Sequence, residues 1–310
     1  MTDLSFHLPT KIQFSLQSIE QIGIIAYDYG IRALIIADDI LADYNHIKRV
    51  KSLLEIKGLK SIVFDEVGLY STSKLVEQAT DIARTSKTQL IIGMGGVKTL
   101  SIAKCTAQLI TAEKPLDSYI SGTLFTNKGL PYIEIPTTCR NPVMFNRKAL
   151  LIDARDRSMK EVSLKDYPEV VIIDPALTVS LSAQYTATTM FDTFLTSFEG
   201  FASKKGTFLS EILFKNTFGP LLRNITSAHA DPQDFTIRQI ASQAGLLSAL
   251  GLTMSYAGLG HAISNTLSGK FNVPQAAVST ILLPHILEFC MNSCPKKLMT
   301  VANLLKEENA

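Results

Sequence analysis

Residues 89–104 read QLIIGMGGVKTLSIAK, and this stretch decides the fold. An apolar run, Leu90-Ile91-Ile92, stops at Gly93-Met94-Gly95-Gly96, and helical spacing of Leu100, Ile102 and Ala103 begins near Lys98-Thr99. A buried strand, a glycine turn and a helix start together form an anion-binding device. Glycine lets backbone N–H groups approach a phosphate, and the positive end of the helix dipole faces the same point. Neither common nucleotide motif is complete. Val97 stands where a Walker A loop has glycine, and Lys98 fills the last glycine position of G-x-G-x-x-G. Taken alone, the stretch leaves two readings open, a phosphate cradle and an ordinary strand-to-helix connection.

On both sides of it the chain alternates strand and helix. Strands are predicted over 10–15, 33–38 (ALIIAD), 61–67, 132–138, 149–153 and 169–174, with helices over 16–29, 46–57 and 73–85. The continuous apolar runs are those of buried parallel strands, and the alternation is that of a doubly wound α/β sheet. After Asp174-Pro175 strand runs vanish, and 186–203, 207–224, 234–253 and 276–289 carry helical spacing. Two domains follow: an α/β domain over 1–175 and an all-α domain over 176–310.

Composition narrows the function classes. With 310 residues, 46% of them hydrophobic, the chain can bury a large core. A net charge of +2 with interspersed signs argues against a nucleic-acid binder. No apolar segment reaches the ~20 residues that span a bilayer. The start, MTDLSFHLPTKIQF, lacks the pattern of a secretory signal. Cys105, Cys139, Cys290 and Cys294 form no CxxC, so a reduced cytoplasmic protein is expected. The edge strand at 10–15 offers a surface for homodimer formation by strand pairing.

Several stretches, in order, resemble the iron-containing (group III) alcohol dehydrogenases, whose superfamily includes glycerol dehydrogenase and dehydroquinate synthase. They are FHLPTKIQF (6–14), GMGGVKTLSIAK (93–104), IPTT (135–138), VVIIDPALTVSL (170–181), TATTMFDTFLTSFEGFAS (186–203) and SYAGLGHAISNTLSGKFNVPQAAVSTILLPHILEF (255–289). The resemblance covers nearly the whole chain, which ends in the polar tail KEENA short of the family's last helices. It implies a Rossmann-like N-terminal domain holding NAD(P), a helical C-terminal domain holding a divalent iron or zinc ion, and hydride transfer between a small alcohol and its aldehyde or ketone.

Carried onto this sequence, the nucleotide residues are Asp38, Gly95, Gly96, Lys98, Thr137, Thr138 and Lys160. Asp38 matches the acidic position that faces the adenosine ribose, which favours NAD over NADP. Equally, Asp38 or Asp39 fits a cap on the helix that follows. Lys160 reads equally as a solvated loop lysine, and Arg140 as a phosphate contact or a surface charge.

The family's metal ligands are one Asp and three His. Here they correspond to Asp192, Thr196, His261 and Gln275, with Asn265 at a further histidine position. Asp192 and Thr196 share a helix face by their i,i+4 spacing, but a neutral hydroxyl is a poor ligand for iron(II) or zinc. His261 is the remaining imidazole and the one catalytic donor nameable from sequence, or else a core histidine.

Two functions follow. The first is an NAD-linked dehydrogenase of small alcohols or aldehydes with a degraded metal site. The second is a catalytically inactive relative that serves as a nucleotide-binding or subunit-interaction protein.

Overall fold

A computed structural model describes residues 4–67 and 72–307. Residues 308–310 of the polar tail lie outside that range. The chain divides into two compact units. The α/β unit comprises Pro9–Thr137 and Val143–Ser180, and the helical unit comprises residues 4–8, Thr138–Pro142 and 181–307.

The α/β unit contains strands β1 (Lys11–Phe14), β2 (Arg32–Asp38), β3 (Lys60–Val67), β4 (Leu90–Gly95), β5 (Tyr132–Pro136), β6 (Lys148–Ile152), β7 (Met159–Ser163) and β8 (Val170–Ile173). Its helices are α1 (Ile22–Tyr27), α2 (Ile40–Asp43), α3 (His46–Ile56), α4 (Ser73–Thr85), α5 (Val97–Leu109) and α6 (Leu116–Ile120). Six strands pair in parallel in the order β1-β8-β5-β4-β2-β3. Side chains alternate between the two faces with the strand period of two. Leu34, Ile36 and Ile91 pack with α4 and α5, while Ala33, Ile35 and Ile92 pack with α1 and α3.

The chain runs from β2 outward to β3, returns past β2 to β4, and continues the other way to β5 and β8. Direction therefore reverses between β2 and β4. That switch point is where open α/β sheets place their ligands, beyond the carboxyl ends of the strands.

The structure corrects two readings of this half. The strand over 149–153 does not join the parallel sheet. As β6 it pairs antiparallel with β7, a half-exposed hairpin strand (MKEVS) whose charges hide it from hydropathy. The helix over 16–29 is interrupted: Gln17 takes a left-handed conformation (φ 63°), a 3-10 turn spans Ser18–Gln21, and α1 begins only at Ile22. The edge strand read over 10–15 stands as expected: β1 pairs with β8 alone and is an outer strand of the sheet.

Helix α5 is buried on nearly every side. Gly93 makes room for it, because a Cβ there would lie 2.8 Å from Ala103 Cβ and 2.7 Å from Tyr132 Oη. Burial so complete leaves Lys104 without water. Its ammonium lies 3.3 Å from Glu134 Oε2 and donates to the carbonyls of Val143 (2.5 Å) and Met144 (3.2 Å). The pair ties α5 to β5 and to the segment that leads into β6.

The helical unit contains α7 (Ala183–Ala202), α8 (Phe208–Ala230), α9 (Phe235–Leu252), α10 (Leu259–Phe271), α11 (Gln275–Ser293) and α12 (Pro295–Glu307). α10 and α12 add to the four helices read from the sequence. α7 starts at a Ser182 cap that accepts from Tyr185 N, and it packs against α8, α9, α10 and α11. Its apolar side joins Phe194, Phe198 and Phe201 to Phe214 and Phe218 of α8. Among the described residues no helix is long and apolar enough to cross a membrane.

Removing one member of a buried ion pair leaves the other charge uncompensated. Lys104→Met should therefore cost about 3–5 kcal/mol, while Lys104→Met with Glu134→Leu should recover a large part of the loss. Urea denaturation followed by circular dichroism checks this, and a double variant no more stable than the single one would contradict it.

Candidate functional site

Each unit gathers a polar cluster of its own. In the α/β unit the cluster lies at the switch point. The β2–β4 register pairs Ala37 with Met94, which sets Asp38 level with Gly95. The Asp38 carboxylate accepts from Gly96 N (2.8 Å) through Oδ2 and from the Thr99 hydroxyl through Oδ1. Asp38 thus caps α5, a helix 58 residues away in sequence, rather than the helix that follows it. That following helix is capped by Asp39, whose Oδ1 accepts from Ile40 N (2.8 Å).

Gly95 needs to be glycine twice over: its φ is +156°, and a Cβ would lie 2.5 Å from Asp38 Oδ2. Burial within the turn pushes the Asp38 carboxyl up, against the opposing pull of Thr99, Gly96 N–H and the Lys98 charge. Thr137 joins this cluster through its backbone, since its N–H donates to Gly95 O (3.0 Å). Lys160 lies on the half-exposed β7, with its ammonium 3.9 Å from Asp156. The turn fits a dinucleotide pyrophosphate: half-exposed Gly96 and Lys98 stand at the positive end of a long helix, and no side chain projects from Gly95.

In the helical unit α7 carries a buried polar stripe. Thr189, Asp192, Thr193, Thr196 and Glu199 follow one another at helical spacing and are all buried. The segment 138–142 lies along this stripe. The Cys139 thiol meets the hydroxyls of Thr189 and Thr193 at 3.7 Å each. Thr138 Oγ1 donates to Arg140 O (3.0 Å), which holds the segment in a tight turn. Gly245 of α9 presses against the same backbone, where a Cβ would lie 2.1 Å from Cys139 O.

The segment thereby delivers Arg140, 7% exposed, to Asp192, 1% exposed, in a direct ion pair from Nε to Oδ2. Burial brings the Arg140 guanidinium down to about 10, so it stays charged at neutral pH. Burial first, and the Arg140 charge second, push the His261 imidazole down to about 3, so it stays neutral. Arg140 is therefore not a surface charge.

Glu199, one turn beyond Thr196, anchors the loop that carries His261. Its carboxylate accepts from Gly258 N (2.9 Å), Gly260 N (2.6 Å) and His261 N (3.2 Å) at the start of α10. A Cβ at Gly258 would lie 2.8 Å from Glu199 Oε1, so the glycines of GLGH clear space for this cap. Gln275 donates to Ser264 Oγ (3.4 Å). Three buried polar atoms of the cluster have no hydrogen-bond partner: Asp192 Oδ1, Arg140 Nη2 and His261 Nδ1.

These residues do not fit a divalent iron or zinc ion. A catalytic site of that kind uses about three strong protein ligands. Here Asp192 already holds a cation, Thr196 offers a neutral hydroxyl, and Gln275 offers at most a neutral amide oxygen, its nitrogen donating to Ser264. Among the described residues no group of three or more His, Cys, Asp or Glu side chains is placed to hold a metal.

Glu199 and the role of Arg140 were missed from sequence. A usable signal existed for Glu199, which lies seven residues after Asp192 on the same helix face. None existed for Arg140, whose partner is 52 residues away.

The chain matches two family models, "iron-containing alcohol dehydrogenase" over residues 9–175 and the C-terminal model of the Fe-containing alcohol dehydrogenase family over residues 186–310. It is 28% identical to the sulfoacetaldehyde reductase of Bilophila wadsworthia, covering 90% of this chain and 73% of that protein. It is 29% identical to long-chain-alcohol dehydrogenase 1 of Geobacillus thermodenitrificans, covering 88% and 69%. Among solved structures, a 1,3-propanediol oxidoreductase superposes with a TM-score of 0.92 at 22% identity, covering 98% of this chain and 80% of that one. The sulfoacetaldehyde reductase of Bifidobacterium kashiwanohense in complex with NAD+ gives 0.88 at 19% identity, covering 98% and 85%.

Two variants test the geometry. Gly245→Ala drives a Cβ into a backbone carbonyl and should cost about 2–4 kcal/mol in urea denaturation; a neutral effect would show that segment 138–142 is not held against α9. Asp38 has a raised folded pKa, so its contribution to stability is full below its ordinary value of 3.8 and is lost as pH rises through the raised value. Asp38→Asn keeps an acceptor for Gly96 N–H and takes no charge. It should flatten the pH dependence of the urea midpoint as pH rises above about 4, and an unchanged slope would contradict the assignment.

Proposed function

Because the chain belongs to the iron-containing alcohol dehydrogenase family and is an alcohol dehydrogenase-like oxidoreductase, we propose that it catalyses NAD-linked hydride transfer between a small alcohol and its aldehyde or ketone. In the oxidative direction the carbinol carbon loses a hydride to the nicotinamide and the hydroxyl loses a proton, giving a carbonyl, NADH and a released proton. The observation that carries this reading is the Gly95-Gly96 turn at the β2–β4 switch point with Asp38 beside it.

NAD(P), when bound, supplies the hydride acceptor or donor. Gly95, Gly96 and Lys98 would hold its pyrophosphate, Thr137, bonded through its N–H to Gly95 O, and Thr138 after it would add nucleotide-side contacts, and Lys160 would add charge on the nucleotide side. An acceptor at Asp38 favours the free ribose hydroxyl of NAD and repels the 2′-phosphate of NADP. On the substrate side, a hydroxyl complements the partnerless atoms of the helical unit. It accepts from Arg140 Nη2 and donates to Asp192 Oδ1 or His261 Nδ1. His261, neutral, is a hydrogen-bonding group rather than a strong base.

A second reading, a catalytically inactive relative that binds nucleotide or another subunit, is favoured by one observation: Asp192 is neutralised by Arg140. In either case we place the protein in the cytoplasm as a homodimer. The support is that its four cysteines are free and that β1 is the outer strand of the sheet, where a second copy can pair.

Fluorescence titration with NADH and NADPH, paired with turnover of short-chain alcohols and aldehydes, tests this. NADH should bind at least about tenfold tighter than NADPH, and Asp38→Gly should narrow the ratio. Turnover supports the enzyme, binding without turnover supports the second reading in its nucleotide-binding form, and no binding of either dinucleotide would overturn the enzyme and leave only the subunit-binding form.

A further inference from the structure

The buried stripe of α7 already contains a cation. Asp192 is the one carboxylate at the family's metal-ligand positions in this chain, and one of its oxygens pairs with the Arg140 guanidinium. This arginine is not a long side chain that happens to fold inward. Its backbone is fixed by the Thr138 hydroxyl, by the neighbouring Cys139 thiol on Thr189 and Thr193, and by the close approach of Gly245. The delocalised guanidinium keeps its charge even when buried, and its fork matches a carboxylate.

Around the pair two of the family's histidine positions carry neutral, weaker groups. Thr196 contributes a neutral hydroxyl, and the Gln275 amide donates to Ser264. A divalent ion placed at Asp192 would meet a fixed positive charge within a few ångströms in a medium of low dielectric, with only His261 left as a second ligand.

We propose that Arg140 is the resident cation of this pocket, its guanidinium holding Asp192 in place of a divalent metal, so that the helical unit takes no metal ion there. The inference concerns the charge at Asp192 and holds whether or not the protein turns over an alcohol.

The test uses the full-length protein and needs no activity assay. Wild type is dialysed against zinc(II), then against metal-free buffer, and its zinc and iron are measured by mass spectrometry. It should retain well under ~0.1 equivalent, and EDTA should leave its Tm unchanged. Arg140→Gly with Thr196→His and Gln275→His removes the resident cation and supplies two imidazoles, and should retain about one equivalent of zinc. Asp192→Asn, melted in EDTA, should lose more than ~5 °C of Tm, because Arg140 then stays buried without its counter-charge.

About one equivalent of tightly held metal in the wild type, or a wild-type Tm that falls in EDTA, would overturn the proposal. So would an Asp192→Asn protein as stable in EDTA as the wild type. Should the triple variant fail to fold, the wild-type metal content and the EDTA melts decide the question without it.

Discussion

The buried pair of Arg140 and Asp192 is the constraint around which the helical unit is arranged. Two charges taken out of water are tolerated only when paired. α7 turns Asp192 inward and segment 138–142 brings the cation that pairs with it, while Asp192 Oδ1 and Arg140 Nη2 keep hydrogen-bonding capacity that the protein does not use. The glycines at 245, 258 and 260 are packing consequences of this arrangement. One admits the backbone of Cys139, and the other two admit the carboxylate of Glu199. Glu199 in turn fixes the start of α10 and with it the position of His261. A chain of contacts thus runs from Arg140 along α7 to the imidazole, entirely within one compact unit.

The α/β unit solves a related problem with the opposite charge. The start of α5 exposes N–H groups and a positive dipole end, which call for an anion. Asp38 supplies one from the neighbouring strand, through a register that no local sequence rule contains. Under the proposed function the same carboxylate would also read the adenosine ribose, giving one group two uses. Deeper under the sheet, Lys104 and Glu134 keep α5 in place, which makes the glycine turn a rigid feature of the fold.

Periodicity and glycine placement made the architecture legible. Ala33–Asp38, Leu90–Ile92 and the helix over 73–85 stand where their patterns put them, because each is an apolar run or a clean amphipathic face. β7 and α10 escaped notice for the converse reason. MKEVS is mostly polar on a half-exposed hairpin, and α10 buries chiefly glycine and serine, which hydropathy does not register. The candidate site was half legible. Asp38, Gly95, Gly96, Asp192 and His261 could be named because each sits in a local motif. The role of Arg140 could not, since it depends on the fold of segment 138–142 against α7 and α9, and Glu199 is defined by backbone amides about 60 residues away.

The most direct test of this account is a crystal structure of the protein grown with zinc(II), with anomalous data collected at the zinc and iron edges. The account predicts the Arg140 guanidinium in hydrogen-bond contact with the Asp192 carboxylate, and no anomalous peak beside Asp192 or His261. A strong peak ligated by both residues, with Arg140 turned away, would contradict it.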